Sequence, residues 1–515
     1  MKEKLENLIK EALNSLGIES SGFVVEHPTD LKMGDYSTNV GIKNGGKKEE
    51  IFKFINENLP KGVERAELVG PGFINFYLSK EFFKESLKEI TEKGENFGKG
   101  EHAKGFKVMV EHTDPNPFKE FHIGHLMPNV IGGALAKIFE WNGAEVKQVN
   151  YQGDVGLHVA KAVWADGDYA KGHKAYEENP QAKKEIEEIN KKIYDRSDPE
   201  INAKYDSGRK ESLDKFERIY EKLGTKFDHY FFESETGEVG KKIVLENMGK
   251  VFEESEGAVV FKGSHTRVFI NSLGLPTYEA KDLGNAQIKY EFYPYDLSVV
   301  VTANEIKEYF KVVIEAMSRV LPELAKKTKH VSHGLLKLPT GKMSSRTGTI
   351  IPAEKLIEDV KEKVKGDEQV AIGAIKYMIL RSNIGSDIIF DIDKSVSVEG
   401  DSGVYLQYAH ARAGSLIEKA GKRGSVEGES GEVREIEKLL YRFPEIVERA
   451  GAEYAPNYIT TYLTELSSAF NNFYAHEPVL EESPESLYRL SIVEAFKIVM
   501  KNGLNILGIP APERM

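Results

Sequence analysis

The sequence predicts an α/β protein: a central domain with a parallel sheet, a small α+β domain before it and an all-α helical bundle after it. Three stretches carry that expectation. Lys107 to Gly156 reads as strand, rigid loop, helix, strand, the repeating unit of a parallel sheet. Ala66 to Leu78 (AELVGPGFINFYL) reads as a strand broken at Gly70-Pro71-Gly72; resumed alternation puts Phe73, Asn75 and Tyr77 on one face and Ile74 and Phe76 on the other. From about residue 366 onward the apolar positions recur at helical spacing.

Residues 1–100 form the first domain. MKEKLENLIKEALNSLGI is an amphipathic helix with Leu5, Leu8, Ile9, Leu13 and Leu16 on one side. A turn-rich stretch, Gly34 to Asn39, precedes a second amphipathic helix near 48–58 with Ile51, Phe52, Phe54 and Ile55 as its apolar residues. Lys80 to Gly100 is a charged helix and linker.

The central domain spans 101–395. Val108 and Val110 alternate with polar neighbours, as in a strand. Asp114-Pro115-Asn116-Pro117 cannot be helical, because each proline pushes the residue before it out of the α region. Leu126, Val130, Ile131, Ala134, Leu135 and Ile138 then make one helical face, Gly143 lies just past its end, and Val146 to Tyr151 is a second strand. A unit of this Rossmann-like kind binds nucleotides at the carboxyl end of its first strand and the helix N-terminus. His122-Ile123-Gly124-His125 stands at that helix start. Two imidazoles beside free N–H groups suit phosphates, though the same four residues also fit surface histidines at a cap or half of a zinc site. Residues about 167–235 are a charged insertion, expected to be a helical hairpin with Ile186, Ile189 and Ile193 as its stripe. The sheet is expected to resume with Ala258–Lys262, Arg267–Ile270 and Leu297–Val301. Between them Tyr278 and Asp282, four apart, share a face if helical, where Asp282 could also be a helix cap. Leu338 to Gly348, with Lys342, Met343, Ser344, Ser345 and Arg346, is a Gly-flanked, hydroxyl-rich loop of the sort that closes over phosphates. After a linker at 387–393, residues 396–515 read as long helices at Tyr405–Arg412, Glu437–Val447, Tyr458–Tyr474 and Leu487–Leu507.

Composition narrows the chemistry. The formal charge of −12 (70 − 82) gives no general affinity for polyanions, so any RNA surface must be a local patch. Cysteine is absent, which removes disulfides, thiolate zinc sites and cysteine nucleophiles. The N-terminus lacks the apolar core of a signal peptide, and no run of about 18 apolar residues occurs, so a cytoplasmic chain without membrane contact is expected.

H-I-G-H followed by K-M-S-S-R resembles the class I aminoacyl-tRNA synthetases. Val110-Glu111 with Pro115-Asn116, Asn150-Tyr151-x-Gly153-Asp154-x-Gly156, Tyr278-x-x-x-Asp282, Tyr405 to Arg412 and the terminal Leu507-Gly508-Ile509-x-Ala511-Pro512-Glu513-Arg514-Met515 narrow the resemblance to the arginyl-tRNA synthetases. The resemblance covers nearly the whole chain. It implies ATP-dependent activation of L-arginine and transfer to tRNA(Arg), with Mg²⁺ carried on ATP and no protein-bound zinc. It assigns His122, Gly124, His125, Lys342, Met343 and Ser344 to ATP, and Glu111, Asn116, Tyr278 and Asp282 to arginine. The second lysine of the usual K-M-S-K-S loop is Ser345 here; Lys119, just before the histidines, is placed to supply that charge, and the plainer reading is a solvated loop lysine. Phe73 and Asn75 match tRNA-contact positions of the N-terminal domain, and 396–515 matches an anticodon-binding bundle. From the residues alone, Phe73 could equally be core and Asn75 a surface amide. A monomer is expected. The competing readings are another class I synthetase, or a catalytically silent synthetase-like RNA-binding protein.

Overall fold

Five parallel strands form the middle of the molecule: β1 (Lys107–Glu111), β2 (Glu145–Gln152), β3 (His229–Phe232), β4 (Leu297–Ala303) and β5 (Thr328–His333). The structure is a computed structural model that describes residues 1–339, 351–428 and 430–515. The strand order is β5-β4-β1-β2-β3. β1 is central and covered on both faces, which is why Val108, Met109 and Val110 run apolar without a break. The chain leaves β1 in one direction and returns through β4 on its other side, so a crevice opens at their carboxyl ends.

The helix Ile123–Trp141 follows β1 and ends where expected, with Gly143 at φ 95°. The charged insertion forms three helices rather than a hairpin: Tyr169–Glu178, Pro180–Asp195 and Pro199–Leu223. Ile186 and Ile193 pack with Val155, Val159 and Tyr205, tying this module to the body. Two expectations need correction. Residues 229–232, placed in the insertion, are β3 of the parallel sheet. Ala258–Lys262 and Thr266–Ile270 are strands, but they pair antiparallel with each other in a separate sheet, in which Ala258–Lys262 also pairs antiparallel with Glu253–Ser255. Alternation identifies a strand and says nothing about its partner.

The first domain is an antiparallel sheet in the order Val25–Glu26, Tyr36–Thr38, Phe73–Leu78, Val63–Val69, backed by the helices Lys2–Ser15 and Lys48–Glu57. Leu5, Leu8, Ile9, Ile51, Ile55, Ile74 and Phe76 form its core. It docks on the helical bundle: Tyr441 joins this core, and the Tyr36 hydroxyl donates to Glu445 Oε1 at 2.5 Å. The bundle consists of Gly403–Ala420, Glu435–Leu440, Phe443–Ala452, Asn457–His476 and Ser486–Ile506. The single helix expected over Glu437–Val447 is therefore two, the second starting with Pro444 in its first turn, where a proline costs no backbone bond. Phe470 stacks on Phe496 with centroids 3.9 Å apart, a contact worth about 0.5–1.5 kcal/mol beyond burial. Tyr462 is core and donates to the Leu439 carbonyl, whereas Tyr408 is partly exposed.

Candidate active site

The loop after β1 is rigid and strained. Thr113, Asp114 and Phe118 all have positive φ, at 81°, 43° and 68°. Each such residue costs on the order of 1–3 kcal/mol and persists where surrounding contacts dictate it. Here Asp114 Oδ1 accepts from the Tyr151 amide at 2.8 Å, and Ser212 Oγ accepts from the Phe118 amide at 2.9 Å. The Asn116 side chain lies across the β2 loop, so close that a Cβ at Gly153 would meet its Oδ1 at 2.2 Å. A side chain at 153 would displace the Asn116 amide and crowd Glu233. Its neighbour Asp154 is fully buried and accepts from Arg209 Nε (3.0 Å), Ser234 N (2.9 Å) and Ser234 Oγ (2.7 Å), which fastens the insertion to the body.

His122 caps the helix. Its Nδ1 accepts from the Gly124 amide, and the His125 Nδ1 accepts from the His122 amide, each at 3.1 Å. A ring nitrogen that accepts cannot carry the proton, so both neutral rings hold it on Nε2. The rings stack with centroids 3.9 Å apart. Burial pushes the His122 imidazole down to about 4, helped by the nearby Lys119 charge, and burial with His122 and Lys119 pushes His125 well below its ordinary value. Two neutral N–H donors therefore stand at the helix N-terminus at pH 7. They line a cavity of about 470 Å³ together with Gly124, Val301, Thr302 and His333, within the size range of small-ligand sites. His333 donates from Nδ1 to the Gly334 carbonyl at 2.6 Å, and its buried Nε2 has no partner among the described residues. The Lys119 ammonium sits 5.1 Å from the Tyr169 ring centroid; burial lowers its pKa and Glu233 opposes that. Lys342, Met343, Ser344 and Ser345 lie outside the described residues.

Beside this cavity lies a nest of charge. Tyr278 opens the helix Tyr278–Phe292, with Thr277 at its cap, so Asp282 sits inside the helix and the capping role is excluded. Asp282 bonds the Tyr309 hydroxyl at 2.5 Å. Its carboxyl is pushed up to about 8, chiefly by burial and also by Glu111 and Glu233, against the opposing Tyr309 bond. Glu111, at the end of β1, spends Oε2 on Lys289 (2.8 Å) and Asn285 (2.9 Å), and Lys289 also donates to Ser298 Oγ at 3.2 Å. Lys281 pairs with Glu233 at 2.6 Å. Glu111 is thus matched by Lys289 and Glu233 by Lys281, while Asp282 has no cation partner among the described residues. Tyr278 remains 54% exposed at the rim.

Lys289, Asn285 and Tyr309 were not anticipated. The first two carry a signal, because Asp282, Asn285 and Lys289 recur at helical spacing on one face. Tyr309 comes from another helix, Lys307–Val320, and leaves no local mark. Phe73 and Asn75 lie apart in the first domain's sheet. Phe73 is 42% exposed; Asn75 is 3% exposed, with Oδ1 accepting from Ser37 Oγ at 2.7 Å, so the shared face does not present both equally. Among the described residues no group of three or more His, Asp or Glu side chains is arranged to hold a metal ion. No described helix is long and apolar enough to cross a membrane.

Comparison with known proteins accounts for all three regions. Residues 87–392 match the class I (R) tRNA synthetase catalytic domain, residues 3–78 the arginyl tRNA synthetase N terminal domain, and residues 406–515 the DALR anticodon binding domain. The arginine–tRNA ligase of Halothermothrix orenii is 30% identical over 567 residues, covering 100% of this chain and 99% of the relative. That of Clostridium botulinum (strain Alaska E43) is 31% identical over 566 residues, covering 100% of both. The solved arginyl-tRNA synthetase of Thermus thermophilus superimposes with a TM-score of 0.76 at 25% identity over 100% of both chains. That of Plasmodium falciparum shares the fold, with a TM-score of 0.82 at 21% identity, covering 100% of this chain and 99% of the other. On this agreement of fold and sequence over its full length, the chain belongs to the arginyl-tRNA synthetase family of class I aminoacyl-tRNA synthetases.

Proposed function

We propose that this protein is an arginine–tRNA ligase: it activates L-arginine with ATP and transfers it to the 3′ end of tRNA(Arg), giving AMP and diphosphate. One observation carries the choice of amino acid. Of the acids gathered here, Glu111 and Glu233 are matched by lysines and Asp114 accepts from the Tyr151 amide, whereas Asp282 has a hydroxyl donor and no cation among the described residues, which leaves it for one external cation. A planar guanidinium fits a carboxylate with two parallel hydrogen bonds.

In the first step an arginine carboxylate oxygen attacks the α-phosphorus, and the bond to diphosphate breaks. In the second a terminal ribose hydroxyl attacks the acyl carbon, and AMP leaves. No side-chain nucleophile is needed, because positioning and charge stabilisation supply the acceleration. His122 and His125 donate Nε2–H to the phosphates, and Gly124 lets them approach the backbone. Lys119 adds positive charge. Lys342, Met343 and Ser344 close over the nucleotide. Mg²⁺ carried on ATP would offset phosphate charge. Glu111, Asn116 and Tyr278 frame arginine around Asp282. Phe73 stacks on an unpaired tRNA base and Asn75 holds the surface beside it. The protein acts as a monomer.

The test is ATP–pyrophosphate exchange with each amino acid, with and without tRNA. Exchange with arginine alone among the amino acids, and only when tRNA is present, is expected. Exchange with another amino acid, or none with arginine and tRNA, overturns the assignment.

A further inference from the structure

The proposed site leaves one question open: what holds Asp282 in a state fit to receive a cation. The carboxylate is buried among groups of its own sign. Glu111 and Asp114 face it from the end of β1 and the following loop, Glu233 from the helix start after β3, and the Tyr151 phenol from β2. Lys289 is the positive group facing it, and its ammonium is committed to Glu111. Among the described residues the carboxylate has one hydrogen-bond donor, the Tyr309 hydroxyl. Tyr309 belongs to the helix that follows β4, so this contact joins two helices that also pack together through Leu283, Ala286, Val312 and Val313.

We propose that Tyr309 is a positioning residue for amino-acid selection: its hydroxyl fixes Oδ2 of Asp282 and so directs Oδ1 toward the substrate guanidinium. This inference rests on the assignment of Asp282 as the guanidinium partner. Three observations support it. The bond is short, 2.5 Å, as expected when a phenol donates to a carboxylate. The phenol keeps its proton, because burial and the charge of Asp282 hold its pKa well above the ordinary value. The ring is itself fixed from behind, with the Arg267 guanidinium 5.9 Å from its centroid and Arg267 in turn 3.8 Å from Glu279. Without Tyr309, Asp282 would face Glu111, Glu233 and Asp114 with no donor, and an incoming cation would have to displace a more firmly held proton.

The test compares the parent with Tyr309→Phe in ATP–pyrophosphate exchange with tRNA present. The variant keeps the ring and loses only the donor. A hydrogen bond to a charged group is worth a loss of about tenfold to a hundredfold. That loss is expected in KM for arginine, with KM for ATP within twofold of the parent. The pH dependence provides a second readout that a purely structural role would leave in place. Arginine binding needs Asp282 ionised, so kcat/KM for arginine rises with pH, and losing the Tyr309 donor moves that rise to higher pH. Should the phenylalanine variant not fold, 3-fluorotyrosine in place of Tyr309 keeps the packing, strengthens the donor and moves the rise to lower pH. An arginine KM and pH profile unchanged in Tyr309→Phe, or a rise unmoved by fluorination, overturns the proposal. Arginine kinetics unchanged in Asp282→Asn would instead overturn the assignment on which it rests.

Discussion

Lys289→Met isolates the electrostatic design of the site. Lys289 and Glu111 are 4% and 5% exposed and 2.8 Å apart, with Asn285 and Ser298 completing their hydrogen bonds. Methionine keeps the volume and removes the charge, so Glu111 is left buried beside Asp282 and Asp114. Removing one partner of such a pair costs about 3–5 kcal/mol. An independent limit gives a similar figure. The orphaned carboxyl can take up a proton, and protonating an ordinary glutamate at pH 7 costs about 3.7 kcal/mol. At pH 5 the same step costs about 1 kcal/mol. The sign follows: a carboxyl whose folded pKa is raised adds stability at low pH and loses it as pH rises through that value. The variant should therefore unfold in urea about 3–4 kcal/mol more easily than the parent at pH 7, with most of the deficit gone at pH 5. Adding Glu111→Gln should restore much of the loss at pH 7, because the double variant buries no net charge. A deficit independent of pH, or single-variant losses that simply add in the double variant, would refute this account of the pair.

The remaining predictions concern catalysis. His125→Ala, with its fold retained, should lower kcat for adenylation by a factor corresponding to about 2.7–4 kcal/mol, and a loss under tenfold counts against the phosphate role. Lys119→Ala should be severely impaired in the same exchange assay, with partial rescue by Ser345→Lys; simple additivity of the two changes means that one cation does not replace the other. For Asp282 the pH dependence is distinctive. Its carboxyl is pushed up to about 8, so the stability it lends is present in acid and lost as pH rises through that value. Melting curves of Asp282→Asn should gain on the parent between pH 7 and pH 9, and a gain confined to acid pH contradicts the burial argument.

Much of this was legible in the residues. Apolar periodicity located Lys2–Ser15, Lys48–Glu57 and Ile123–Trp141, because each packs one stripe on a core. The prolines flanking Asn116 marked a rigid loop, and His122 caps its helix as its position suggested. What stayed hidden depends on which elements meet. β3 is a short aromatic run, His-Tyr-Phe-Phe, directly after charged helices, and nothing local separates it from them. Asn75 alternates with Phe73 as a displayed residue should, yet neighbouring strands cover it, and only the pairing of Ser37 with Asn75 reveals that. Glu111 and Asp282 were singled out by their motifs, but the motifs do not reveal that Lys289 pairs with one and Tyr309 bonds the other. Those pairings join residues 178 and 27 positions apart.

Selection of arginine by Asp282 is tested most directly by kcat/KM for arginine and for citrulline, in the parent and in Asp282→Asn. Citrulline has the same length but a neutral ureido group, so Asp282 keeps its proton beside it and the ion pair is never formed. Breaking a buried charge pair costs about 3–5 kcal/mol, so arginine kcat/KM should fall roughly a hundredfold to several thousandfold in the variant. KM for ATP should stay near the parent's, and discrimination against citrulline should largely collapse. Unchanged arginine kinetics, or full discrimination in the variant, would contradict the central claim.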